Sequence, residues 1–153
     1  MKKILRVLLS TLLVGLSAVS YAANAPIESH VLRVQVTHPN GQHGLGSAVI
    51  IAEDQVVTNC HVVRDASDVS VMSGATALPA TALKADWKHD VCVLRFQFLP
   101  LKPIEFASQE PNYEQDTFSI GFPGGPPKPI TTYGKVKGLY AMDGAFMIRT
   151  NGS

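Results

Sequence analysis

The sequence predicts an all-β protein, a small antiparallel barrel or sandwich. Three observations carry that expectation. Apolar and polar residues alternate along most of the chain, and helical periodicity is nearly absent. Short alternating runs are separated by turn signals such as Pro39-Asn40-Gly41, Gly44-Leu45-Gly46 and Glu53-Asp54. Two polar clusters sit at the ends of apolar runs, one delivering His61 and the other Asp90.

At the N-terminus, Lys2, Lys3 and Arg6 precede an apolar stretch over residues 7–18, and Ser20-Tyr21-Ala22 places small residues where a signal peptidase reads. This pattern predicts a secretory signal over residues 1–22, with cleavage expected after Ala22. The apolar run is shorter than the ~20 residues needed to span a bilayer. The remainder is long enough for an ordinary domain core. It carries no later apolar run long enough to span, and it is expected to be periplasmic or secreted from a bacterial cell. Formal net charge is +1 with no basic stripe or acidic tail, which argues against nucleic acid and against a membrane surface as partners.

Residues 31–37 alternate, with Leu32, Val34 and Val36 on one face and Arg33, Gln35 and Thr37 on the other. Residues 47–51 read as a more fully buried strand, 55–58 as the next, and 60–64 as a single helical turn. Further strands are expected at 68–72, 80–85 and 91–96, giving an N-terminal barrel over residues 27–97. The texture then changes: residues 98–115, with Pro100, Pro103 and Pro111, read as an interdomain linker. Strand patterning resumes at 116–122, passes through the rigid Gly121-Phe122-Pro123-Gly124-Gly125-Pro126-Pro127 loop, and continues at 130–140 and 144–150. This second block, residues 116–153, has too few strands to close a barrel, and its last strand is left with an unpaired edge. The chain reads as cut short.

A hydroxyl becomes a useful nucleophile when an imidazole takes its proton, and the imidazole works best with a carboxylate on its other nitrogen. His61 and Asp90 are placed for these two roles. As isolated residues they are a weak signal, because most domains contain a solvated histidine and a solvated aspartate. Cys60 and Cys92 flank the same clusters, so if His61 and Asp90 meet, the cysteines lie close too. In an oxidising compartment a bridge between them is worth about 3–4 kcal/mol in the chain-entropy model. The alternative is two buried free thiols.

The surrounding residues are more specific. Gly46-Ser47-Ala48-Val49-Ile50-Ile51 and Val57-Thr58-Asn59-Cys60-His61-Val62-Val63 resemble the histidine block of trypsin-like serine peptidases, nearest to their bacterial envelope branch, the HtrA-type proteases included. Asp90-Val91-Cys92-Val93-Leu94 resembles the aspartate strand of that family. Phe118-Ser119-Ile120-Gly121-Phe122-Pro123 resembles the opening strand of its second barrel, residues 132–138 the strand after it, and residues 145–150 the approach to the nucleophile turn. The resemblance runs in order from residue 31 to the end. It implies two perpendicular six-stranded β-barrels, the first complete here and the second partial, with the site between them. It implies His61 as general base and Asp90 as its orienting carboxylate, in peptide-bond hydrolysis through an acyl-enzyme. Peptide or protein is the substrate, with no metal or organic cofactor.

One departure is large: the Gly-x-Ser-Gly-Gly turn that carries the family's nucleophile and oxyanion hole is absent. Ser153 follows a glycine but aligns before that turn. Ser119 lies mid-strand, and Ser47 and Ser73 read as structural. The expectation is therefore a serine-peptidase fragment, lacking its nucleophile and its specificity pocket, and inactive alone. A different class of function is a non-catalytic secreted module that binds peptide or protein partners. A zinc site from Cys60, His61, His89, Asp90 and Cys92 is disfavoured, because adjacent Cys60 and His61 point apart and ligand spacing is absent. The same geometry disfavours Cys60 as a nucleophile. His30, His38 and His43 read as solvated turn residues, and Trp87 as a rim or core aromatic. The oligomeric state is not legible.

Overall fold

The computed structural model describes residues 26–152; the expected signal at 1–22 and Ser153 lie outside them. After a 3-10 turn at Ile27–His30, the first half of the chain forms β1 (Val31–Thr37), β2 (His43–Ala52), β3 (Gln55–Thr58), α1 (Cys60–Val63), β4 (Asp68–Ser73), β5 (Thr76–Pro79), β6 (Ala82–Asp86) and β7 (Val91–Arg95). The second half forms β8 (Asp116–Gly121), β9 (Ile130–Met142) and β10 (Ala145–Thr150).

The first sheet is antiparallel in the order β5-β4-β1-β2-β3-β7-β6. Its two outer strands are halves of one extended segment. β5 pairs with β4 and β6 with β7, while Ala80 N–H donates to Val69 O at 2.8 Å and Thr81 N–H to Arg95 O at 2.7 Å. This continuity rolls the sheet into a barrel and leaves few open edges. The inward residues are those that alternation selects: Val34, Val36, Ile50, Val56, Val71 and Leu94 are all essentially inaccessible, and Leu32, Ala48, Val63 and Phe96 join them.

Two local expectations are corrected. Gly44-Leu45-Gly46, expected as a turn, lies within β2, where Gly44 pairs with Val36 and Gly46 with Val34. The glycines are needed for close approach: a Cβ on Gly44 would lie 2.7 Å from Val36 Cγ2, and one on Gly46 2.5 Å from Val62 Cγ1. The strand expected at 80–85 begins earlier, at Thr76, and changes partner at Ala80-Thr81.

Residues 98–115 contain no strand or helix, yet they are tied to the first barrel. Leu99 is buried in its core, and Ile104 N–H donates to Ile50 O at 2.8 Å. The second sheet has the order β10-β9-β8. It meets the first through the Phe122 N–H, which donates to Ser47 Oγ at 2.8 Å, and through Leu45 against Gly125. Only its flank is covered: Phe118, Tyr133, Tyr140, Phe146 and Ile148 stand about half exposed or more.

Candidate active site

The site grows out of the β3–β7 ladder. Thr58 pairs with Cys92, and its hydroxyl donates to Ser47 O at 2.7 Å. The ladder then continues one step, with Cys60 N–H donating to Asp90 O at 3.2 Å. α1 starts here, and consecutive residues on it point in different directions. The Cys60 side chain goes inward and is bridged to Cys92, so both sulfurs are consumed and neither is available as a zinc thiolate or a nucleophile. The His61 side chain goes outward and is 64% exposed.

His61 meets Asp90 twice. Its backbone N–H donates to Asp90 Oδ1 at 2.8 Å, and its ring Nδ1 lies 2.6 Å from Oδ2. A carboxylate only accepts, so Nδ1 carries the proton and Nε2 is left free as a proton acceptor. Asn59 Nδ2 donates to both the carbonyl and Oδ2 of Asp90, each at 3.1 Å. Asp90 itself is left-handed, φ 57°, a conformation aspartate tolerates better than most residues. The backbone N–H of His61 and then its ring hold the Asp90 carboxyl below the usual carboxylate range, with the Asn59 amide adding to them.

A second aspartate–histidine pair, which the sequence reading missed, closes the turn before Asp90. His89 N–H donates to Asp86 Oδ1 at 3.2 Å, and His89 Nδ1 lies 2.7 Å from Asp86 Oδ2. The His89 ring hydrogen bond holds the Asp86 carboxyl low. His89 Nε2 is buried without a partner among the described residues, so this ring faces protein rather than a substrate. The available signal was an Asp-x-x-His spacing immediately ahead of a buried strand.

Trp87 projects from the same turn, half exposed, with the Arg64 guanidinium 5.5 Å from its ring centroid. Lys88 reaches Asp143, at the tip of the β9–β10 hairpin, at 3.6 Å. His30, His38 and His43 each make one hydrogen bond near the surface, to Lys102 O, Asp65 O and Thr37 Oγ1. Ser47 Oγ is engaged by Phe122 N–H, and Ser119 Oγ lies 2.6 Å from Thr132 Oγ1, so neither hydroxyl is directed at His61.

The trypsin-like peptidase domain matches residues 46–153, most of the chain and both sides of the His61–Asp90 contact. The chain belongs to this family. Among its relatives, serine protease Rv3671c of Mycobacterium tuberculosis is 33% identical over 102 residues, which is 66% of this chain and 26% of that protein. The peptidase-domain chain thus spans about a quarter of that relative's length. The active form of the Rv3671c protease superposes with a TM-score of 0.71 at 26% identity, over 81% of this chain and 58% of that one. The HtrA-type protease AlgW, solved with a tripeptide, superposes with a TM-score of 0.66 at 25% identity, over 76% of this chain and 38% of that one. The fold is therefore a trypsin-like one of which this chain forms the N-terminal part. No helix among the described residues of this trypsin-like domain is long and apolar enough to cross a membrane.

Proposed function

We propose that this chain is the base-bearing part of an exported serine endopeptidase, with His61 as general base and Asp90 as its orienting carboxylate. The observation that carries the reading is the 2.6 Å contact between His61 Nδ1 and Asp90 Oδ2, which leaves Nε2 in the acceptor form on an exposed ring. A serine hydroxyl presented to Nε2 would lose its proton there as its oxygen attacks the peptide carbonyl carbon. The imidazolium that forms is stabilised by Asp90 and returns the proton to the leaving amine, after which water repeats the sequence on the acyl-enzyme. The 153 residues contain no Gly-x-Ser-Gly-Gly turn, so by themselves they do not complete this cycle. In the same reading residues 1–22 direct export to the periplasm or beyond, residues 27–97 are the first barrel, 98–115 the connection and 116–153 part of the second. The half-exposed apolar residues of β8 to β10 favour a part of a peptidase over a free-standing binding module, which would bury them.

The test compares two purified proteins on an unstructured protein substrate. The 153-residue chain should give no turnover. The product of any continuing reading frame that adds the nucleophile turn should cleave, and His61→Ala should reduce its kcat/KM on the order of 10⁶-fold. Turnover that survives His61→Ala would remove the proposed base.

A further inference from the structure

We infer that a cavity between the start of β1, the β4–β5 hairpin and the loop after β8 binds a small apolar carboxylate, with Arg33 as its counter-charge. The cavity has a volume of about 250 Å³. Arg33 lines it from the outward face of β1, alternating with the inward Leu32 and Val34. A guanidinium has five N–H donors and keeps its charge at every physiological pH. This one makes a single long hydrogen bond, from Nη1 to Gly125 O at 3.5 Å, while Nε is buried without a partner among the described residues. None of the ion pairs among the described residues involves Arg33, although it is half-buried. A half-buried cation without a counter-ion is costly, and an anion in the cavity would offset that cost.

The surroundings select the kind of anion. No aspartate or glutamate lines the cavity; among the residues next to the lining ones, the exposed Lys102 and Lys128 follow Leu101 and Pro127, and the exposed Glu28 precedes Ser29. Met72, Leu101 and Phe122 supply apolar wall, and Ser73 lines the cavity beside them. One guanidinium balances one negative charge, and apolar wall penalises a second, so a monoanionic carboxylate fits better than a phosphate dianion. The Nη edge of Arg33 takes one or both carboxylate oxygens, and the Ser73 hydroxyl is a further donor on the cavity wall. The apolar part of the ligand packs against Phe122 and Leu101. The chain end of a peptide terminating in an apolar residue, and a free branched short-chain acid, share this chemistry. None of residues 59–64 or 86–90 lines the cavity, so the inference stands apart from the peptidase reading.

The test is an NMR titration of the ¹⁵N-labelled chain with N-acetyl-leucine, 4-methylpentanoate and the peptide Ala-Ala-Leu, each beside its amide. Saturable shifts at Arg33, Ser73 and Gly74, at least tenfold weaker for every amide and lost in Arg33→Met, are the expected result. Binding by all three acids assigns the site to free carboxylates, and binding by Ala-Ala-Leu alone assigns it to peptide ends. Equal shifts from acid and amide, no shifts from any acid, or unchanged binding in a folded Arg33→Met would overturn the inference. If Arg33→Met does not fold, the acid–amide comparison in the unsubstituted chain still decides it. No arm depends on peptidase activity, so failure here leaves the proposed base untouched.

Discussion

Cys60 N–H donates to Asp90 O at 3.2 Å, one step past the last β3–β7 pair, Thr58 with Cys92. Through this bond the register of two buried strands, rather than a flexible loop, sets the distance between His61 and Asp90. The disulfide from Cys60 to Cys92 locks the same step from the core side. A one-residue slip would turn every inward residue of β3 outward, so the burial of Val56 and Leu94 indirectly maintains the pair.

Asp90→Asn should preserve the fold and disrupt the pair. An amide can present its N–H to Nδ1 and force the proton to Nε2, the wrong tautomer for a base. In a protein completed by the nucleophile turn, kcat should fall about 10⁴-fold with little change in KM. Unchanged kcat would show that Asp90 does not orient His61.

The disulfide is predicted to be structural. Replacing both Cys60 and Cys92 with alanine should lower unfolding free energy by about 3–4 kcal/mol, read as a lower urea midpoint. A midpoint equal to that of the unsubstituted chain would mean that the strand ladder alone holds α1 in place.

Gly46 and Val62 should be energetically coupled. A Cβ on Gly46 would lie 2.5 Å from Val62 Cγ1, so Gly46→Ala must push α1, and His61 with it, away from β2. We expect a cost of about 1–3 kcal/mol. Val62→Ala should relieve much of it, so the double variant should be more stable than the sum of the single losses. Strict additivity would show that the contact relaxes without moving α1.

Acid should destabilise the fold through the carboxylates that are held low. Asp90 and Asp86, lowered from an ordinary 3.8 by hydrogen bonds from His61 and His89, bind fewer protons folded than unfolded near that pH. Their contribution is therefore fully present above the unfolded value and lost as pH falls through the folded one. A denaturation series below about pH 4 should fall less steeply in Asp86→Asn/Asp90→Asn than in the unsubstituted chain. Parallel curves would refute the assignment.

The open face of the second sheet should make the chain self-associate. Phe146 and Ile148 on the outer strand β10 are each 51% exposed beside an edge that is unpaired among the described residues. Sedimentation should reveal concentration-dependent oligomers, and Phe146→Glu/Ile148→Glu should shift them toward monomer by about tenfold in dissociation constant. A monodisperse monomer at high concentration would show that this face is tolerated in water.

Much of this architecture was legible in the residues themselves. Period-two alternation in 31–37 and 91–95, and the turn at Glu53-Asp54, announce strands because a pleated chain buries every second side chain. The family resemblance of the Thr58-Asn59-Cys60-His61-Val62-Val63 run and of the Asp90 strand pointed to the pair, whereas Cys60 and Cys92 were open between a bridge, which the structure shows, and two buried thiols. What tertiary structure alone decided were relationships between distant positions. Gly44 and Gly46 look like turn glycines until β1 and α1 are seen to press against them. The strand expected at 80–85 is the later part of a segment from Thr76 to Asp86 whose halves are found on different partners. Asp86 with His89, and Arg33 without a carboxylate among the described residues, depend on which groups happen to fall within hydrogen-bonding reach. Local sequence sets backbone preference and which face is apolar, whereas partner and distance follow from packing, which is a property of the whole chain.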